Sequence, residues 1–195
     1  MTHRAASALA IAAGFLTLAA CNQKAPSTAA PEGSAPALTV TSGADGAWTN
    51  EPAVTKNMAN FDVLDFDVYT NQKWDRLKES HAEDIVVTWP DGRETRGLAD
   101  HIKDLSFMFS FAPDTRIKVH PIKVAAGEWT SVQGEMEGTF TQPMKLPGGA
   151  TIAPTNKAFK IKMVTIGHWT KAGVMDHEWL IWDNDAFNKQ IGLAK

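Results

Sequence analysis

Between Lys56 and Asn71 the apolar residues Met58, Phe61, Leu64 and Val68 recur at helical spacing, which predicts an amphipathic helix. Asn71 is placed to cap a second short helix with Trp74 and Leu77 on one face. The β-rich run Ile85-Val86-Val87-Thr88-Trp89 predicts a strand, ended by the turn Pro90-Asp91-Gly92. Leu98, Ile102, Leu105 and Phe109 predict a third helix, stopped at Pro113-Asp114. From Arg116 onward the period changes to two. Ile117 and Val119 lead a strand that Pro121 interrupts, so an edge or a bulge is expected there. Trp129–Gln142 reads as a long strand, followed by a Pro- and Gly-rich loop over Pro143–Thr155.

Phe159–Thr170 and Val174–Trp182 form the clearest hairpin, closed by Lys171-Ala172-Gly173 with Gly173 left-handed. Pairing Thr170 with Val174 sets Phe159, Ile161, Met163, Thr165, Gly167, Trp169, Met175, His177, Trp179, Ile181 and Asp183 on one face. That face is the more apolar and is assigned to the core. Lys160, Lys162, His168, Asp176 and Glu178 fall on the other, where His168 faces Asp176 across the hairpin. Helices followed by long antiparallel strands make the chain α+β. A curved sheet over helices leaves a concave mouth suited to a ligand.

The N-terminal third is different in kind. His3 and Arg4 precede an apolar, acid-free run from Ala5 to Ala20, the pattern of a secretory signal. Its end, Leu18-Ala19-Ala20-Cys21, resembles a bacterial lipobox. That resemblance implies a lipid on Cys21 and a membrane anchor; an ordinary signal peptide with a chance cysteine is the alternative. Asn22 after the cysteine favours the periplasmic face of an outer membrane in a Gram-negative source. Residues 22–55 are rich in Ala, Pro, Ser, Thr and Gly, too poor in large apolar groups to offset the entropy of ordering. The expected organisation is therefore a signal over 1–20, a lipidated cysteine and tether over 21–55, and one domain over 56–195.

With one cysteine among 195 residues, neither an intramolecular disulfide nor a cysteine-rich zinc site can form. A net charge of −3 argues against nucleic-acid binding, which needs a basic stripe.

Gly97, Pro113-Asp114, Gly127, Gly138-Thr139, Pro154-Thr155-Asn156-Lys157, Gly173, Glu178, Trp182-Asp183 and Gln190-Ile191-Gly192 stand in an order and spacing that resembles the SnoaL-like polyketide cyclases. The resemblance runs from about Phe61 to Leu193. It implies the nuclear transport factor 2-like fold, a cone of sheet and helices around a deep pocket. It also implies cofactor-free chemistry, in which an aspartate near the end of the last long strand moves a proton beside a carbonyl. Asp183 best matches that aspartate. The family's Gly-Thr-His is Gly138-Thr139-Phe140 here, which removes a polar pocket residue.

Asp183 is thus either a pocket base, its pKa raised among Trp179, Ile181 and Trp182, or the cap of the helix starting at Asn184. His177 is either a proton relay or a core histidine. Trp89, Tyr69, Phe140, Trp169 and Trp179 are the aromatic residues expected around a ligand. His81, His101 and His120 show no ligand-like spacing, so no metal is expected, and the resemblance implies no cofactor. Two functions stand open. One is an anchored periplasmic binder of a small apolar molecule or a partner. The other is a cofactor-independent cyclase, isomerase or hydrolase using Asp183. The half-apolar outer sheet face offers a homodimer contact under either.

Overall fold

The computed structural model describes residues 52–194. The expected signal, the lipidated Cys21 and nearly all of the tether lie outside the described residues. Helix α1 (Pro52–Val63) begins ahead of the expected boundary at residue 56, and Val54 is already buried. A proline opens it without loss, because the first helical N–H groups have no partner in any case. The helix then widens into a π-helical turn over Leu64–Tyr69, and a 3₁₀ segment follows at Trp74–Glu79. The strands and remaining helices come in the order β1 (His81–Thr88), β2 (Glu94–Arg96), α2 (Leu98–Phe111), β3 (Arg116–Ile117) and β4 (Ile122–Ala126). They continue with β5 (Trp129–Thr139), β6 (Met144–Lys145), β7 (Thr151–Ile152), β8 (Ala158–Trp169), β9 (Met175–Ile181) and α3 (Asn184–Gln190).

Seven strands form one mixed sheet in the order β2-β1-β9-β8-β5-β3, with β4 also on β5. Only β1 and β9 run parallel. Pro121 splits the expected edge strand into β3 and β4, which share β5 as their partner, because proline brings no N–H to the ladder. β5 and β8 pair from Trp129↔His168 to Thr139↔Ala158 and form the spine of the sheet. Gly138 sits opposite Phe159, and a Cβ there would stand 2.9 Å from that ring. The glycine lets the ring lie flat across the neighbouring strand. The architecture is the expected α+β cone: α1, the π-turn and α2 fill the concave side of the curved sheet. Phe61, Leu64, Val68, Phe109, Phe111, Ile117, Met136 and Ile161 meet there in one buried cluster.

The β8–β9 hairpin keeps its expected loop. Thr170 N–H donates to Val174 C=O at 2.9 Å, and Gly173 has φ +81°. The face assignment for β9 is corrected. Trp169 pairs with Met175, but His168 pairs with His177, so Asp176 is an extra residue and the strand bulges. Side chains before the bulge obey the expected alternation: Phe159, Ile161, Met163, Thr165, Trp169 and Met175 are buried. Beyond it the alternation is inverted. His177 and Ile181 are exposed, whereas Glu178 and Leu180 point into the cone.

Candidate functional site

A cavity of about 420 Å³ opens inside the cone. Met136, Met163 and Leu180 from the sheet, Leu105 and Met108 from α2 and Leu64 from the π-turn make its walls apolar. Met144, Leu146 and Ile152 of the short β6–β7 ribbon close one side, and Phe187 and Leu193 at the C-terminal end close another. Trp89 lines it. Its indole N–H donates to Thr95 Oγ1 at 2.6 Å, the Arg93 guanidinium lies 5.0 Å above its ring, and Arg93 pairs with Asp104 at 2.9 Å. Tyr69 also lines the cavity. Among the described residues its hydroxyl has only the Met136 thioether at 3.3 Å, a weak acceptor that a ligand oxygen would better. Burial pushes the Tyr69 pKa well up, with the nearby Asp65 adding to it, so the hydroxyl stays a donor.

The other expected site residues lie elsewhere. Asp183 is exposed and does not line the cavity. Its Oδ1 accepts from Ala186 N–H at 2.9 Å, the N-cap geometry of α3. The peptide turns into the helix just there, and the carboxylate closes onto that backbone amide. His177 is carried outward by the bulge. Its ring stacks on Trp179 at 5.7 Å, and its Nδ1 lies 3.1 Å from Asp176. Trp179 in turn stacks on Trp129 on the outer face, where Ile122, Val124 and Ile181 are also exposed; this is the face named above for a homodimer. Phe140 and Trp169 are fully buried core residues outside the cavity lining. Phe140 packs edge-on against Phe111, and Trp169 donates to Thr130 Oγ1 at 2.9 Å. His168 meets Asp176 at 2.6 Å, as expected.

The cavity's polar floor is built on two histidines whose spacing gave no ligand signal and a glutamate expected on the outer face. His81 at the start of β1, His101 in α2 and Glu178 in β9 all line the cavity, with side chains 1%, 2% and 6% exposed. Glu178 Oε2 lies 3.7 Å from His81 Nε2 and 3.4 Å from His101 Nε2. These are contacts rather than aligned hydrogen bonds, and among the described residues His81 Nε2, His101 Nδ1 and Glu178 Oε2 have no hydrogen-bond partner. Burial holds the His101 pKa down to about 4, despite the opposing charge of Glu178, so the ring is neutral at neutral pH. Burial pushes the Glu178 carboxyl up, but His81 and His101 outweigh it and leave it below the usual carboxylate value. A neutral imidazole and an ionised carboxylate therefore share a dry floor. Leu98, His101, Leu105 and Met108 follow helical spacing on one face of α2, which is the sequence signal for His101.

A mixed α+β cone with a deep apolar pocket defines the nuclear transport factor 2-like class. Within it the chain belongs to the SnoaL-like polyketide cyclase family, whose model matches residues 62–191. Solved structures of the same fold include a candidate SnoaL-like polyketide cyclase from Jannaschia sp. CCS1, 18% identical, with a TM-score of 0.64 over 74% of this chain and 97% of that one. IdmH from Streptomyces antibioticus, a candidate polyketide cyclase, is 19% identical, with a TM-score of 0.59 over 70% of this chain and 98% of its own. A candidate cyclase from Xanthomonas campestris is 13% identical, with a TM-score of 0.60 over 71% and 98%. At these identities the likeness is one of fold. No curated protein matches the chain. Among the described residues no helix is long and apolar enough to cross a membrane.

Proposed function

We propose that the domain encloses a small, largely apolar molecule in the cone, with a polar end directed at the floor. The observation that carries this is the cavity itself: about 420 Å³, walled by Met, Leu and aromatic side chains, with unpartnered buried polar atoms at Glu178, His81 and His101. Tyr69 and Trp89 remain the aromatic ligand contacts in this reading. The enzymatic alternative, a cofactor-independent cyclase or isomerase, needs a carboxylate inside the cavity; Glu178 supplies it in place of Asp183.

The probe for binding is 1-anilinonaphthalene-8-sulfonate, whose fluorescence rises in an apolar site. Saturable binding to the folded chain is expected. Met108→Trp, a half-buried wall position on α2, fills the cavity and should weaken that binding about tenfold or more, with an unchanged far-UV spectrum. Dye binding indifferent to this substitution would place the site outside the cone.

The second half of the proposal is location: a lipid on Cys21 holding the domain at a membrane surface in the periplasm. It is supported by Leu18-Ala19-Ala20-Cys21 ending an apolar run behind His3 and Arg4. Mass spectrometry of the membrane-extracted protein should find a diacylglyceryl-modified Cys21. A mature chain with a free Cys21 thiol, or one cleaved beyond it, rules this out.

A further inference from the structure

We infer that His81, His101 and Glu178 form a binding site for a divalent transition-metal cation at the floor of the cavity. The inference concerns the floor alone and does not rest on the organic ligand proposed above.

The first support is the convergence of donors. The ligating atoms of the three residues lie within 4.8 Å of one another. Metal bonds of about 2.0–2.1 Å at tetrahedral angles set neighbouring donor atoms about 3.3–3.4 Å apart. The separations of 3.4 and 3.7 Å between Glu178 Oε2 and the two Nε2 atoms are close to that edge. The donors come from β1, α2 and β9; β1 pairs with β9 and α2 packs on β1, so three elements that brace one another bring them together.

The second support is the seating of His81. Its Nδ1 lies 2.8 Å from Ser80 Oγ and 3.3 Å from the Leu77 carbonyl, so the ring is held from behind and Nε2 is turned toward Glu178. A polar group on the far ring nitrogen, a backbone carbonyl among them, is the usual arrangement behind a metal-bound histidine. The third support is that His81 Nε2 and Glu178 Oε2 are buried without partners, although such groups are normally satisfied.

Two imidazoles and a carboxylate suit zinc, cobalt, nickel or iron(II) better than magnesium or calcium, which favour all-oxygen shells. All three residues line the cavity, so a coordination position opens into it. Three protein ligands with one open position is the pattern of sites that bind an exogenous oxygen donor rather than of closed structural sites. One water bridging the same atoms is the competing occupant.

The test uses Co²⁺, whose visible d–d bands report coordination, and Zn²⁺ calorimetry. The full chain carries Cys21→Ser, so that no thiol competes. One equivalent of either ion should bind, with the bands of low-coordinate Co²⁺. Glu178→Gln and His101→Ala should each weaken binding more than the about 100-fold cost of an outer-shell change. His168→Ala/His177→Ala, which dismantles the surface cluster with Asp176, should leave binding unchanged. Acetohydroxamate should shift the Co²⁺ bands through the open position. Absence of binding to the parent chain, or binding that survives Glu178→Gln and His101→Ala, overturns the site. A cobalt spectrum that acetohydroxamate does not move overturns the open position. Should the floor variants fail to fold, anomalous diffraction from zinc-soaked crystals of the parent chain decides. A peak among the three side chains upholds the site, and a peak elsewhere or none overturns it.

Discussion

Trp169→Ala should cost about 3–5 kcal/mol of stability, the range for emptying a large buried aromatic position. Trp169 is fully buried at the end of β8, its ring 6.4 Å from that of Phe61, and its amide donates to the Glu128 carbonyl at 2.7 Å. Truncation leaves a cavity where β8 meets α1 and strips the buried Thr130 hydroxyl of its indole donor. Trp169→Phe keeps most of the volume and loses chiefly that hydrogen bond, so about 1–3 kcal/mol is expected. Because the indole lies outside the cavity lining, the Phe variant should bind anilinonaphthalene sulfonate as the parent does. Urea unfolding followed by far-UV circular dichroism reads the first effect, and dye titration the second. An Ala variant within about 1 kcal/mol of the parent that had lost dye binding would return Trp169 to the ligand site.

The fate of Trp169 shows where the sequence is informative. Period-two alternation over Phe159–Trp169 is unbroken, so the inner face of β8 was legible to the last residue. The helical spacings of Phe61, Leu64 and Val68, and of Leu98, Leu105 and Phe109, likewise located α1 with its π-turn and α2. The site was not legible, and the cause is a single extra residue. Asp176 bulges, the side-chain alternation of β9 reverses behind it, and Glu178 goes in while His177 goes out. A bulge leaves no mark in the hydrophobic pattern here, because His177-Glu178-Trp179-Leu180-Ile181 alternates plausibly in either phase. The resemblance points instead to Asp183, a strand-end acid whose carboxylate accepts from the Ala186 amide of the next helix.

A second obscurity is distance along the chain. His81 and Glu178 are brought together by the parallel pairing of β1 with β9, the one parallel contact in the sheet. No local spacing encodes such a pair. His101 was closer to readable, since it stands on the apolar face of α2. The buried floor is nonetheless poor as a stabilising device: paired or not, ionised groups in a dry site cost desolvation that apolar side chains of similar size would not.

His120 presents the opposite case, a buried imidazole with both ring nitrogens paired to carboxylates, and its removal should be nearly as costly as that of Trp169. Its side chain is 1% exposed; Nδ1 lies 2.8 Å from Asp62 Oδ1, and Nε2 lies 2.8 Å from Asp65 Oδ2. The charged groups facing it are Asp62 on α1, Asp65 on the π-turn and, through Asp62, Lys123 on β4 at 2.7 Å; Phe61 and Phe66 cover the ring. Burial alone would lower the His120 pKa, but its bonds to Asp65 and Asp62 outweigh this and raise it above 6.5. A histidine whose pKa is raised on folding contributes stability that is complete below about pH 6.5 and lost as pH rises through the folded value. Asp65, pushed up by burial despite His120, carries the same sign from a lower starting point. Burial also pushes Asp62 up, but Lys123 and His120 hold it down, so its contribution is lost only in acid, as pH falls through the folded value. His120→Ala leaves the buried Asp65 carboxylate uncompensated and should cost about 3–5 kcal/mol near pH 6. Adding Asp65→Asn should recover part of that loss, because the amide carries no charge to bury. Thermal melts across pH should show the parent losing stability above about pH 6.5 and His120→Ala lacking that alkaline slope. A cost for His120→Ala that is the same at every pH would show that the imidazole acts by filling space, and that its charge contributes nothing to joining α1 and the π-turn to the sheet.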